Sequence, residues 1–135
     1  MLYNGQSILV GVTQHVCAGI DTPENKAFLD KWTAKMGDPK ELQELAVATY
    51  SGMNLWAEGV RKAGSIDRMK VIEALETGIS FVGPAGKITI DGPTHHATTD
   101  VLLMEVKDQK MAVVEAFAQR PPVDTQAVCD LKKNP

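Results

Sequence analysis

Residues Asp38 to Ser65 read DPKELQELAVATYSGMNLWAEGVRKAGS, and their apolar side chains fall on the period of a helix. Leu42, Leu45, Thr49, Met53, Trp56, Val60 and Ala63 recur at alternating steps of three and four, which aligns them along one face. The spacing predicts one long buried helix. Asp38 stands at the cap, Pro39 at the first helical position and Glu41 where a carboxylate reaches back to orphan backbone N–H groups, while Gly64 ends the helix. Val47, Tyr50 and Leu55 lie off the main stripe, so apolar neighbours are expected on more than one side. Gly52 and Gly59 are expected to leave a shallow strip for close approach of another backbone. No catalytic group stands out on either face.

Upstream, Ser7 to Val16 alternates Ile8, Val10 and Val12 against Leu9, Gly11 and Thr13, the pattern of a largely covered strand. His15 and Cys17 share one of its faces, but a metal needs a further ligand, so the pair reads as a packed histidine and thiol. In GIDTPENKAFLDKWTAKMGD, Thr22 caps a second helix, Pro23 fills its first position and Gly37 supplies a left-handed stop. Phe28, Trp32 and Met36, with Leu29 beside them, form its core stripe. Lys26, Asp30, Lys31 and Lys35 take the opposite side as a solvated charged face.

Downstream, Ser65 is placed to cap a shorter helix with an apolar seam of Met69, Ile72 and Leu75, ended by Gly78. From Ile79 the period drops to two and turn residues crowd in. Gly83-Pro84-Ala85-Gly86 and Asp91-Gly92-Pro93 bracket a short strand, Lys87 to Ile90. Val101 to Val106 and Met111 to Phe117 flank a polar interval of hairpin length and are expected to pair antiparallel. Gln119-Arg120-Pro121-Pro122 then breaks the sheet, leaving residues 123–135 as a poorly packed tail or strap.

With 135 residues the chain suffices for one core-bearing domain, and a net charge of -3 offers no broad basic face to nucleic acid or an anionic membrane. Cys17 and Cys129 are too few for a disulfide framework. No apolar run approaches a membrane span, and MLYNGQSILVGV lacks the basic start of a signal peptide, so no export signal is expected in this chain. His95 and His96 are adjacent, and neighbours in an extended segment point to opposite faces. They read as a turn or strand end in which each imidazole meets backbone or carboxylate groups. No nucleophile elbow, phosphate loop, Cys-x-x-Cys or His-Glu-x-x-His element is present. The expectation is therefore no catalytic residue, no metal site and no cofactor.

Three stretches carry a resemblance: IDTPENKAF (20–28), ATYSGMNLWAEGVRKAGS (48–65) and FVGPAGKITIDGPTHHAT (81–98). In this order they resemble a lobe-two helix, a long helix and a proline-and-glycine hairpin of type I periplasmic binding proteins. The chain is similar to the C-terminal third of such proteins, in the urea and short-chain amide receptor branch of the Leu/Ile/Val-binding family. The resemblance implies a partial α/β type I periplasmic-binding-protein fold with three helices, short strands and an antiparallel hairpin. Within a single unit, 1–135, it assigns 7–37 to lobe two, 38–82 to lobe one and 83–135 to crossover strands and tail. It implies reversible binding of urea, a short-chain amide or a branched-chain amino acid in a periplasmic parent that delivers the solute to an ABC permease or, in amide receptors, to a regulator. Much of lobe one, with most head-group contacts, lies outside these residues, so the cleft is expected to be incomplete. Tyr50, off the main stripe near the start of the long helix, is the ligand-binding candidate, with ordinary core or rim packing as the plain alternative. A different class of function is a free-standing α+β interaction module, or the fragment itself, pairing its uncovered helix faces as a homodimer.

Overall fold

The computed structural model describes residues 8–10, 20–39, 42, 44–107, 110–121 and 130–131. In chain order these form β1 (Ile8–Val10), α1 (Pro23–Met36), α2 (Glu44–Ala63), α3 (Arg68–Leu75), β2 (Ser80–Gly83), β3 (Gly86–Ile90), β4 (Ala97–Lys107) and β5 (Lys110–Arg120). This is the expected α/β order of three helices, short strands and an antiparallel hairpin. The rest of the strand expected over 7–16, with His15, Cys17 and Cys129, lies outside the described residues.

The ends of α1 follow from local chemistry. Thr22 adopts an extended backbone and its Oγ1 accepts from the Asn25 N–H at 3.2 Å, Pro23 opens the helix, and Gly37 closes it at φ 96° by donating to the Thr33 carbonyl. Ahead of the cap, Lys26 pairs with Asp21 at 2.6 Å. That hydrogen bond, with the charge behind it, holds the exposed Asp21 carboxyl below the ordinary carboxylate range. The expected stripe fades along the helix: Phe28 is buried, Trp32 half-buried and Met36 69% exposed. Only the first turns reach the core.

Two expectations about α2 are corrected. The helix begins at Glu44, and Asp38 does not cap it, because Leu42 donates to the Pro39 carbonyl in a tight turn that separates Pro39 from the helix. The larger correction is to its buried face. Val47, Ser51, Leu55 and Gly59, at steps of four, are buried, whereas Leu45, Met53 and Trp56 of the expected stripe are 74%, 60% and 46% exposed. Steric fit explains this choice. A Cβ on Gly59 would lie 2.8 Å from Leu75 Cδ2 and 3.5 Å from Val71 Cγ1, and one on Gly83 would lie 2.9 Å from Ser51 Oγ. The face bearing small residues therefore admits α3 and the β2 hairpin at close range. Gly52, by contrast, meets nothing within 4 Å.

The cap of α3 is also corrected. Asp67, not Ser65, is the N-cap, its Oδ1 accepting from the Lys70 N–H at 3.1 Å, while Ser65 Oγ accepts from the Asp67 N–H in the preceding turn. Val71 and Ala74 are the buried members of this helix, with Leu75 half-buried against Gly59, and Met69 is left 53% exposed. Gly78, at φ 83°, ends the segment as expected.

All the strand pairs among the described residues are antiparallel. The order is β1-β4-β3-β2, with β5 also on β4. Gly83 and Gly86 close the β2–β3 hairpin, with Gly86 at φ 105°. β4 is the shared strand. Ala97 and Thr98 pair with β3, Met104 to Val106 with β1, and the register with β5 shifts between Thr99 and Val101. Beyond β5, Leu131 donates to the Pro93 carbonyl at 2.7 Å, which ties the end of the chain to the turn before β4.

Substitutions on α2 separate its faces. Leu55→Ala is expected to cost about 2–5 kcal/mol and Leu45→Ala about 0.5 kcal/mol or less, read from urea unfolding midpoints. In the same assay, Gly59→Leu should cost about 1–3 kcal/mol by overpacking Leu75, whereas Gly52→Ala should stabilise by about 0.5–1 kcal/mol. Equal costs at Leu45 and Leu55, or a tolerated Gly59→Leu, would contradict the assigned face.

Candidate functional site

Two of the concave regions among the described residues lie beside the core. The first is a groove of about 290 Å³ between α1 and the start of α2, lined by Phe28, Lys31, Trp32, Lys35, Met36 and Tyr50. Its rings form a connected set. Phe28 lies 4.8 Å from Tyr50 and 6.2 Å from Trp32, centroid to centroid, in tilted contacts, and Tyr50 meets Phe81 edge-on at 6.4 Å. The helical steps Phe28, Lys31, Trp32, Lys35 and Met36 bring these side chains to one edge of α1. Tyr50 thus joins the aromatic core at its rim, half-buried, and faces both the core and the groove.

The lysines are the part of this groove that the periodic pattern did not disclose. Lys31 and Lys35 were expected on a solvated face, yet both are exposed residues that also border the aromatic wall. The indole Nε1 of Trp32 is buried and has no hydrogen-bond acceptor among the described residues. A buried donor of this kind is costly to leave unmade.

The second region, about 110 Å³, is lined by Ile72, Leu75, Glu76, Ile90 and His95. His95 sits at φ 57° in a turn in which Asp91 Oδ2 accepts from the Thr94 N–H and hydroxyl at 3.2 and 2.6 Å. Its Nε2 lies 2.8 Å from Glu76 Oε1 at the end of α3, while His96 Nδ1 lies 2.9 Å from the Thr94 carbonyl. The two imidazoles therefore take separate partners, one a carboxylate and the other backbone, as expected. They fasten a turn to a helix. Among the described residues no cluster of three His, Cys, Asp or Glu side chains forms a metal site.

A third polar cluster was not legible beforehand. Gln119, at φ 47°, donates its backbone N–H and its Nε2 to Asp100 Oδ1 at 2.8 and 3.0 Å, donates Nε2 to the Lys87 carbonyl at 2.8 Å, and accepts from the Thr89 hydroxyl at 3.2 Å. Gly86 makes room for it, because a Cβ there would stand 2.6 Å from Asp100 Oδ2. These groups join β3, β4 and β5 beside the register shift. No local motif could have signalled it, since the partners lie far apart in the chain.

The chain matches a family model described as "Periplasmic binding protein" over residues 6–110. The Leu/Ile/Val-binding protein homolog 6 of Brucella abortus is 33% identical over 95 residues, covering 70% of this chain and 24% of that protein. The leucine-, isoleucine-, valine-, threonine-, and alanine-binding protein of Pseudomonas aeruginosa is 38% identical over 69 residues, covering 51% of this chain and 18% of that one. A solved structure, the solute binding protein of an ABC transporter from Rhodopseudomonas palustris in complex with p-hydroxybenzoic acid, superposes with a TM-score of 0.69 at 31% identity, over 87% of this chain and 32% of that one. The chain thus spans about a quarter of the length of the Brucella relative. Matched over most of its residues, it belongs to the periplasmic binding protein family, whose members are non-enzymatic binders of solutes.

Proposed function

We propose that this chain is the C-terminal part of the solute-binding component of an ABC-type transporter, working in the periplasm with a permease partner. The observation that carries the reading is the match to the family model over 6–110, together with the superposition on a transporter's solute binding protein. The solute class is a small polar molecule, either a branched-chain amino acid or urea and short-chain amides. Amino acids are supported by the names of the Brucella and Pseudomonas relatives. The amide branch is supported by the stretches 20–28, 48–65 and 81–98. In this reading 7–37 belongs to lobe two, 38–82 to lobe one and 83–135 to the crossover strands and tail, and the cleft is completed by residues that this chain does not carry. A ligand held from one side keeps much of its water and loses the enclosure that lets a few polar groups bind tightly. The 135-residue chain is therefore expected to bind leucine, acetamide and urea no tighter than the millimolar range by calorimetry. A micromolar dissociation constant for any of them would mean that the cleft is complete within the chain.

A second reading is favoured by the outward face of α2. Leu45, Met53 and Trp56 stand exposed there, and removing apolar surface from water contributes roughly 25 cal/mol per Å². A second copy of the chain, placed two-fold against this face, would cover it and make the chain a homodimer. Sedimentation equilibrium at micromolar concentration is expected to show a dimer that Trp56→Glu returns to monomer. A folded monomer throughout the concentration range would remove this reading and leave the first untouched.

A further inference from the structure

We propose that the corner between α2 and α3, residues 61–70, is a docking surface for the headgroup region of an anionic lipid bilayer. This surface is built by side chains of this chain alone and lies beyond both the transport reading and the pairing of α2 faces.

Two local rules are broken at this corner. An apolar residue just before a helix cap ordinarily packs against the fourth helical residue. Ile66 stands before the Asp67 cap and Val71 is that fourth residue, yet Val71 is 4% exposed, turned toward Gly59, whereas Ile66 is 82% exposed. The apolar side chain is left standing in water. Cations are also unfavourable in the first turn of a helix, where the backbone dipole is positive. Nonetheless α3 opens Arg68-Met69-Lys70, with no acidic residue in that turn. Its buried residues are Val71 and Ala74, so the helical period sets the 53%-exposed Met69 opposite them, with Arg68 and Lys70 to either side.

The net charge of -3 hides a local excess of the other sign. Between Glu58 and Lys70 stand four cations, Arg61, Lys62, Arg68 and Lys70, and two acids. Both acids are engaged: Glu58 pairs with Arg61, and Asp67 accepts from the Lys70 backbone N–H. Lys62 donates to the neutral Thr77 hydroxyl and keeps its charge, while Arg68 and Lys70 have no anionic side chain as partner among the described residues. Two exposed apolar side chains thus share one tip with uncompensated cations. A bilayer surface suits this shape, because its interface accepts a protruding apolar side chain without a preformed pocket, and anionic headgroups answer the charges beside it. A soluble polyanion would leave Ile66 and Met69 in water, and a neutral apolar partner would leave the cations unanswered. Glu73, exposed one turn beyond Met69, opposes deeper entry, so the contact is the tip of the corner and not the length of α3.

Co-sedimentation with vesicles tests this. The chain is expected to bind vesicles of equal parts phosphatidylglycerol and phosphatidylcholine at low salt, to release them as salt is added, and to leave pure phosphatidylcholine vesicles unbound. Arg68→Gln/Lys70→Gln and Ile66→Ser/Met69→Ser should each weaken binding about tenfold or more. All four positions are exposed, and removing the two cations from the first turn of α3 should hold or raise the urea unfolding midpoint, so lost binding is told apart from lost folding. Trp56→Gln, on the outward face of α2, should leave vesicle binding unchanged. The proposal is overturned if mixed vesicles are not bound, if pure phosphatidylcholine is bound equally, if either double variant binds unchanged, or if Trp56→Gln alone abolishes binding. Retention on immobilised polyglutamate that survives Ile66→Ser/Met69→Ser would assign the corner to an acidic protein surface and overturn it as well.

Discussion

The missing side chain at Gly59 is the constraint on which the arrangement of the helices depends. Leu75 of α3 occupies the space that a Cβ would take, and Ser51, two turns earlier, lies against Gly83 of the β2–β3 hairpin. These two close approaches bring α3 and the hairpin to the same side of α2, where Val47 and Leu55 complete a narrow buried face. Interiors pack at crystal-like density, so the face that admits a neighbour at short range gains more contacts than a bulkier face held at a distance. The cost is visible on the other side of the helix, where Leu45, Met53 and Trp56 face solvent.

Polar groups lock the sheet at two places, once to α3 and once between its own strands. Glu76, at the end of α3, meets His95, and the turn that presents His95 is held by hydrogen bonds of its own, from the Thr94 N–H and hydroxyl to Asp91 Oδ2, from the His95 N–H to the Asp91 carbonyl and from the Asp91 N–H to the His96 carbonyl. Farther along β4, Asp100 and Gln119 share bonds with Lys87 and Thr89 where the register shifts. Left-handed backbone at His95 and Gln119 is held in both cases by partners from other elements. Side-chain hydrogen bonds thus fix the turn and the bulge, while apolar packing fixes the helices.

Family and geometry bear on function at different scales. Members of the periplasmic binding protein family bind solutes without bond chemistry, and the chain spans only about a quarter of its Brucella relative. Clefts in two-lobed proteins gather their ligand contacts from both lobes, so the outward face of α2 and the groove beside α1 answer separate questions. The first asks what covers an apolar helix. The second asks what fills a ring-lined groove bordered by Lys31 and Lys35.

What the sequence determined by itself was whatever short-range chemistry decides. The Thr22 cap and Pro23, the left-handed Gly37, the Gly83–Gly86 turn and the β4–β5 pairing depend on neighbours a few residues away, and each was legible. The separate partners of His95 and His96 were legible too, because adjacent side chains diverge. Tertiary structure alone decided which face of α2 is buried. A periodic pattern ranks side chains by hydrophobicity, whereas burial depended on Leu75 and Gly83, far along the chain, fitting against Gly59 and Ser51. It also decided that Asp67 rather than Ser65 caps α3, since the turn after Gly64 places the Asp67 carboxylate over the helix. Tyr50 could be singled out as an aromatic off the main stripe, but Lys31 and Lys35 read as ordinary surface until Tyr50 and Phe28 came together beside them. The Asp100–Gln119 cluster was silent for the same reason: its groups are distant in sequence and become neighbours only when β3, β4 and β5 pair.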